Sequence, residues 1–275
     1  MKLNRVNLLR GSRSIAAAAA VLGLAACGGE DAPSNGPSGT AATGDLVTVD
    51  ISDVYSMAMF EGTPMPAELD NLEAVPAEPL MELQLPAGAT ENVALGKPVT
   101  SSDPFPIIGE LELVTDGDTG GGDGSYVELG PDLQWVQIDL EQEHEIHAIH
   151  VWHFHKNAVA YIDVVVQISS EEEFQNEDGT SADHVVTVFN SDHDGSSGLG
   201  LSAGTDPAYV ETNHGRVMMV DGVRGRYVRL YSNGNTNDPL NHYVEVMVYG
   251  KPVAGGDAAA AEADAKPEAE AEGEA

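Results

Sequence analysis

Cysteine occurs once in the 275 residues, at position 27, so no disulfide can form within the chain. Basic residues are scarce: 12 Lys and Arg stand against 45 Asp and Glu, a formal net charge of −33. So little positive charge gives phosphates no surface on which counterions are released, which argues against nucleic acid as a partner. Solubility or tolerance of salt is the plain reading of the acidity, and cation collection is the other. No long stretch repeats its apolar residues with the helical period, so nothing supports parallel βαβ units. Chemical signatures are missing too. Gly195-Ser196-Ser197-Gly198 lacks the spacing and the strand-to-helix setting of a nucleophile elbow. Gly198-Leu199-Gly200 is followed by no lysine and no helix start, so it is no phosphate loop. Carboxylates are too many for a glycosidase pair to be argued from their presence. No catalytic residue is expected, and the chain is read as a non-enzyme.

What is present begins with an export leader. Residues 1–26 carry Lys2, Arg5, Arg10 and Arg13, no acidic residue, and an apolar run from Ile15 to Ala26, the layout of a secretory signal. The run is too short to span a bilayer. It ends in Leu24-Ala25-Ala26-Cys27, similar to a bacterial lipoprotein box, so Cys27 is expected to carry a lipid whose acyl chains are the only contact with membrane. Gly28 and Gly29 follow where an aspartate would favour retention in the inner membrane, which points to the cell envelope, at the outer membrane or the surface. Residues 27–45 are mostly small and polar and read as a flexible linker. Residues 251–275 are mainly Ala and Glu without an apolar stripe and read as a disordered acidic tail.

Residues 46–91 contain one alternating stretch, Leu46-Val47-Thr48-Val49-Asp50-Ile51, and prolines at 64, 66, 76, 79 and 86. Proline at that spacing breaks helices and central strands alike, so this segment is expected to lie extended on the main domain and to add one edge strand. Residues 92–250 are long enough for one sizeable core. Apolar residues alternate over 135–140, 146–154, 161–168, 184–189, 216–220, 226–231 and 243–249, with Gly, Asn, Asp and Ser clusters between. The expectation is an all-β fold, a two-sheet antiparallel sandwich of jelly-roll type. Trp135 is expected in its core, and Val244, Val246 and Val248 on one face of the last strand.

Three islands then carry a family resemblance. Asn92-Val93-Ala94-Leu95-Gly96-Lys97-Pro98-Val99-Thr100-Ser101-Ser102 is followed by Val114-Thr115-Asp116-Gly117-Asp118; next comes Gln134-Trp135-Val136-Gln137-Ile138-Asp139-Leu140. Last are Gly225-Arg226-Tyr227-Val228-Arg229-Leu230-Tyr231 and Val244-Glu245-Val246-Met247-Val248-Tyr249-Gly250. In this order they resemble the discoidin, or coagulation factor 5/8 type C, family of galactose-binding-like domains. The resemblance implies a structural calcium where the first loop meets the last strand. Its ligands would be the Leu113 carbonyl, Asp116, Asp118, Ser125, the Val244 carbonyl and Glu245, a set of oxygens suited to a hard cation. Asp116-Gly117-Asp118 reads equally as a plain turn with capping carboxylates.

The resemblance also implies ligand contacts after the tryptophan-bearing strand, where Trp152-His153-Phe154-His155-Lys156-Asn157 offers rings and donors. Trp152, His153 and His155 are the candidates there. The polar loops 190–198 and 231–238 add Asp192, His193, Asn233 and Asn235, because loops on a rigid sandwich are where binding usually sits. The function expected is a surface-anchored binding module for carbohydrate or another extracellular ligand. One alternative is an adhesion or assembly domain that docks another envelope protein. The other is transition-metal binding through His153, His155 and residues 192–194, with exposed or hydrogen-bonded histidines as the plainer reading.

Overall fold

A computed structural model describes residues 45–58 and 68–254 of the chain. The leader, Cys27, nearly all of the linker and the acidic tail beyond Ala254 lie outside the described residues. The strands are β1 (Leu46–Asp50), β2 (Glu82–Pro86), β3 (Val99–Ser101), β4 (Val127–Leu129), β5 (Gln134–His153), β6 (Val165–Ser169), β7 (Val186–Asn190), β8 (Arg216–Ser232) and β9 (Asn241–Pro252). Among the described residues the only helical elements are two 3₁₀ turns, Ser52–Val54 and Leu111–Thr115. The fold is all-β, and every ladder between these strands is antiparallel.

Two pairs of alternating runs that look separate in sequence are single bent strands. β5 takes in both 135–140 and 146–153, and β8 both 216–220 and 226–231. The first half of β5 pairs with β3 and the second half of β8; its second half pairs with β9 and the first half of β8. Register shifts between Asp139 and His144 mark the bend, and Glu141 there holds a positive φ of 66°. The bends lay the two halves face to face: Val136, Ile138 and Leu140 share one core cluster with Ile146, Ile149, Val151, Val246 and Val248. A flat sheet would keep those groups apart, so the sheet is folded into a two-layer sandwich.

A second irregularity, between Ile146 and Ala148, decides which side chains face inward. Before it, even-numbered residues of β5 line the core; after it, odd-numbered ones do, and Ala148 and Trp152 join a separate cluster on the opposite face. Because side chains alternate with period two, one extra residue exchanges the faces of everything beyond it. The same happens in β9. There Trp152 pairs with Glu245 and His153 with Tyr243, leaving Val244 as the extra residue. Val244 therefore packs with Met247 and Tyr249, while Tyr243, Val246 and Val248 face the core. The expectation that Val244, Val246 and Val248 share a face fails for this reason.

The tryptophan roles are also redistributed. Trp152 is fully buried, whereas Trp135 is only partly covered and lies on the far side of β5 from Val136 and Ile138. The Arg229 guanidinium stacks on Trp135 at 4.0 Å from the ring centroid and on Phe174 at 4.4 Å.

Among its described residues, the proline-rich segment adds no edge strand to the seven-stranded sheet. β1 and β2 pair with each other in register from Leu46–Pro86 to Asp50–Glu82. Alternation in β2 sends Leu83 and Leu85, 1% and 0% exposed, onto Ala148, Trp152, Val244, Met247 and Tyr249. Burying each leucine is worth about 1.5–3 kcal/mol. The segment is tied down by hydrogen bonds as well. Thr119 Oγ1 donates to the Val54 carbonyl at 2.7 Å, and Glu73 N to the Ala208 carbonyl at 2.9 Å.

Candidate functional site

Where the first loop meets the last strand, the Gly117 N–H donates to Glu245 Oε2 at 2.9 Å. Gly117 has φ +90°, a conformation that side chains resist. Asp116 Oδ1 accepts from the Asp118 N–H at 2.8 Å, and Asp118 Oδ1 from the Gly120 N–H at 2.8 Å. Glu245 is wholly buried and its Oε1 has no partner. Burial pushes its pKa up to about 9; the Gly117 bond works against this, and the Asp116 and Asp118 charges add to it. A carboxyl in that position is either protonated or matched by a cation. Of the other residues implied as ligands, Leu113 belongs to the 3₁₀ turn, Val244 is the bulged residue of β9, and the Ser125 N–H is bound to the Gly122 carbonyl at 2.9 Å.

The histidines at the end of β5 are engaged with the protein and hidden from solvent, which corrects the expected ring-and-donor surface. Trp152, His153 and His155 are 0%, 0% and 1% exposed. Trp152 Nε1 donates to the Asn213 carbonyl at 3.1 Å and His155 Nε2 to the Thr119 carbonyl at 2.9 Å. His153 Nδ1 donates to Glu211 Oε1 at 2.7 Å, with its ring stacked on Tyr161 at 4.3 Å. Glu128, His242 and Tyr161 continue the polar interior. His242 Nε2 donates to Glu128 Oε2 at 3.1 Å, and its Nδ1 accepts from the Tyr161 hydroxyl at 2.8 Å. The bulge at residue 147 is the cause: it turns His153 inward, where a regular strand would alternate differently.

Nor do these imidazoles meet residues 192–194 to make a metal site. Among the described residues, the one convergence of three such ligands is Asp163, Asp192 and Asp194, whose oxygens lie within 4.8 Å of one another. That set is all oxygen, with no imidazole, and does not match the expected transition-metal arrangement.

The two polar loops do come together, through a residue that sequence reasoning missed. Asn233 Nδ2 donates to Asp163 Oδ2 at 2.9 Å, and the Ser196 hydroxyl donates to the same oxygen at 3.3 Å. Burial raises the pKa of Asp163, the Asn233 bond lowers it, and the Asp192 charge raises it again. Asp192 is buried, and its oxygens accept from the N–H groups of Ser196 and Ser197 at 2.9 and 3.0 Å. Asn235 is also buried: its amide donates to Asp238 Oδ1 and the Leu240 carbonyl, and its oxygen accepts from the N–H groups of Asn237 and Asp238. Asp192 and Asn235 thus shape their loops, while His193, Asp194, Ser196 and part of Asn233 face solvent. Asp163 has φ +52° and sits between two runs of apolar residues, so nothing in its local sequence marks it as the link.

A groove of about 420 Å³ opens elsewhere, between residues 55–58 and 73–80 on one side and residues 209–217 on the other, with Tyr55, Glu73, Pro76, Pro79, Tyr209, His214 and Arg216 among its walls. Half of this lining comes from the proline-rich segment, whose placement across the sandwich could not be read from its sequence.

No protein-family model matches the chain, and no curated protein matches it. Solved structures do resemble it. A family 89 glycoside hydrolase from Clostridium perfringens in complex with 2-acetamido-1,2-dideoxynojirmycin is 21% identical over 58% of this chain, with a TM-score of 0.41. This chain spans about 15% of that enzyme's length. The CBM32 of AlyQ in complex with 4,5-unsaturated mannuronic acid is 14% identical over 55% of this chain and 93% of its own, with a TM-score of 0.39. A fucose-binding module from Streptococcus pneumoniae is 19% identical over 58% and 97%, with a TM-score of 0.40.

Proposed function

We propose that the chain is a non-catalytic binding module for carbohydrate, displayed on the cell envelope through a lipid on Cys27. One observation carries the reading: loops 190–198 and 231–238 are drawn together on Asp163, through Asn233 and Ser196, at the ends of strands β6, β7 and β8. The exposed groups there are carboxylate, amide, hydroxyl and imidazole, which accept and donate to sugar hydroxyls. They stand on strands whose register is fixed by the core, so little ordering is needed on binding. Pull-down on insoluble polysaccharides and a glycan array test this with the intact chain and with Asn233→Ala and His193→Ala. Binding that falls at least tenfold in the variants supports the loop end. Crosslinking in cells that recovers a protein, with no glycan bound, would replace the carbohydrate by a protein partner.

A structural calcium on Glu245 and Asp116, with the Asp118 carbonyl or side chain, is part of the same reading. The three carboxylates do not converge within 4.8 Å as Asp163, Asp192 and Asp194 do, so backbone carbonyls such as those of Leu113 and Val244 would complete its shell. Support comes from the buried Glu245 Oε1, which has no partner, in a carboxyl that feels the charges of Asp116 and Asp118. A hard cation is the partner such an oxygen lacks, and it would supply charge balance there. Elemental analysis of the purified chain decides it: one calcium per chain that Glu245→Gln abolishes is the expected result.

A further inference from the structure

We propose that the groove between residues 55–58 and 73–80 on one side and residues 209–217 on the other is a second ligand site, separate from the loop end, and that it takes one neutral sugar ring. The choice of a sugar rests on the carbohydrate reading above, while the location does not. At about 420 Å³ the groove falls within the roughly 300–1,000 Å³ typical of small-molecule sites. Its walls are preorganised. The Asn213 amide donates to the Ser56 carbonyl at 2.7 Å, and the Asn213 carbonyl accepts from Trp152 Nε1 at 3.1 Å. The Tyr55 hydroxyl is bonded to the Leu80 carbonyl. Both sides of the groove are therefore anchored to the sandwich, and a ligand need not order them.

The chemistry of the lining selects the ligand. Tyr55 and His214 meet edge to face at 4.8 Å, beside Pro76, Pro79, Val75 and Leu80, giving an aromatic and apolar wall for the C–H face of a sugar. Arg216 Nη1 is bonded to Glu73, and its guanidinium lies over the rings of Tyr209 at 5.1 Å and Phe189 at 5.9 Å. An adjacent donor and acceptor, both held still, match neighbouring hydroxyls on one ring. Neutrality follows from the charges: Glu73 already balances Arg216, and a chain at −33 repels an acidic sugar.

The test uses the full chain and methyl glucoside, galactoside and mannoside as probes, with glucuronate as the charged control, followed by NMR of the Tyr55 and His214 rings. Saturable shifts of those rings with at least one methyl glycoside are expected. They should weaken at least tenfold in Ala77→Trp, which fills the groove from an exposed position, and in Glu73→Gln, each checked for unchanged thermal unfolding. Asn233→Ala should leave them unaltered, which separates this site from the loop end. Silence of both rings toward all three glycosides overturns the proposal. So does binding that survives Ala77→Trp, or a preference for glucuronate.

Discussion

Gly117 and Glu245 stand 128 residues apart, and a 2.9 Å hydrogen bond joins the first loop of the sandwich to its last strand through them. That bond satisfies one carboxylate oxygen and leaves the other buried and bare. If calcium fills the gap, it binds only the folded chain, and stability must then depend on its concentration. At a hundred times its dissociation constant the gain is about 2.7 kcal/mol. Thermal unfolding in chelator and in millimolar calcium measures this. Glu245→Gln keeps an acceptor for Gly117 but removes the charge, so the calcium-dependent rise should vanish in that variant.

His150 sets a pH dependence of its own. Its ring is fully buried, stacks on Trp152 at 3.7 Å, and donates from Nε2 to the His214 carbonyl at 2.7 Å. Burial pushes its pKa down from 6.5 to about 4, against the pull of the His214 bond. Between those values the unfolded chain binds the extra proton and the folded chain does not. The stability this provides is complete above about pH 6.5 and is lost as pH falls toward 4, by on the order of 3 kcal/mol. Denaturant unfolding at pH 7 and pH 4 should show that loss, and His150→Gln, which still offers a donor to the carbonyl, should reduce it.

How much of this was legible in the sequence depends on the period of its pattern. Alternation over 135–140 and 226–231 placed strands where they occur, because each residue there keeps its face. Extra residues near His147 and at Val244 left no mark in composition, yet they reversed the faces of Trp152, His153 and the valines of β9. A bulge is set by tertiary pairing, so local pattern could not reveal it. That the turn at Gly117 meets Glu245 was legible through the family resemblance, since nothing near either residue in the chain links the two. Asp163 and Arg216 were not, since each matters through a partner distant in the chain: Asn233 in one case, Glu73 in the other.

Arg229, on the face of β8 opposite Val228 and Leu230, offers a test of planar packing. Its guanidinium lies between Trp135 and Phe174, and its Nε donates to Gln137 Oε1 at 2.7 Å. Lysine keeps the charge but neither the plane nor the fixed donor. Arg229→Lys should therefore cost about 1–3 kcal/mol, from two cation–π contacts and one charge-assisted bond. Denaturant unfolding measures the cost. A change below a few tenths of a kcal/mol would show that the stack contributes nothing.

His153 and Glu211 form a fully buried polar contact: both side chains are 0% exposed, and His153 Nε2 and Glu211 Oε2 have no partner. Removing one member strands the other in a medium that cannot solvate it, at a cost of about 3–5 kcal/mol. Removing both together is different, because two apolar groups of similar size leave nothing unpaired. Glu211→Leu and His153→Phe should each destabilise strongly, while the double variant recovers a large part of the loss. The ring of His153→Phe can still stack on Tyr161, which His153 meets at 4.3 Å, so packing is largely kept. A double-mutant cycle in denaturant gives the coupling. Strict additivity of the two losses would mean that the residues act separately, and the short contact between them would then have no energetic role.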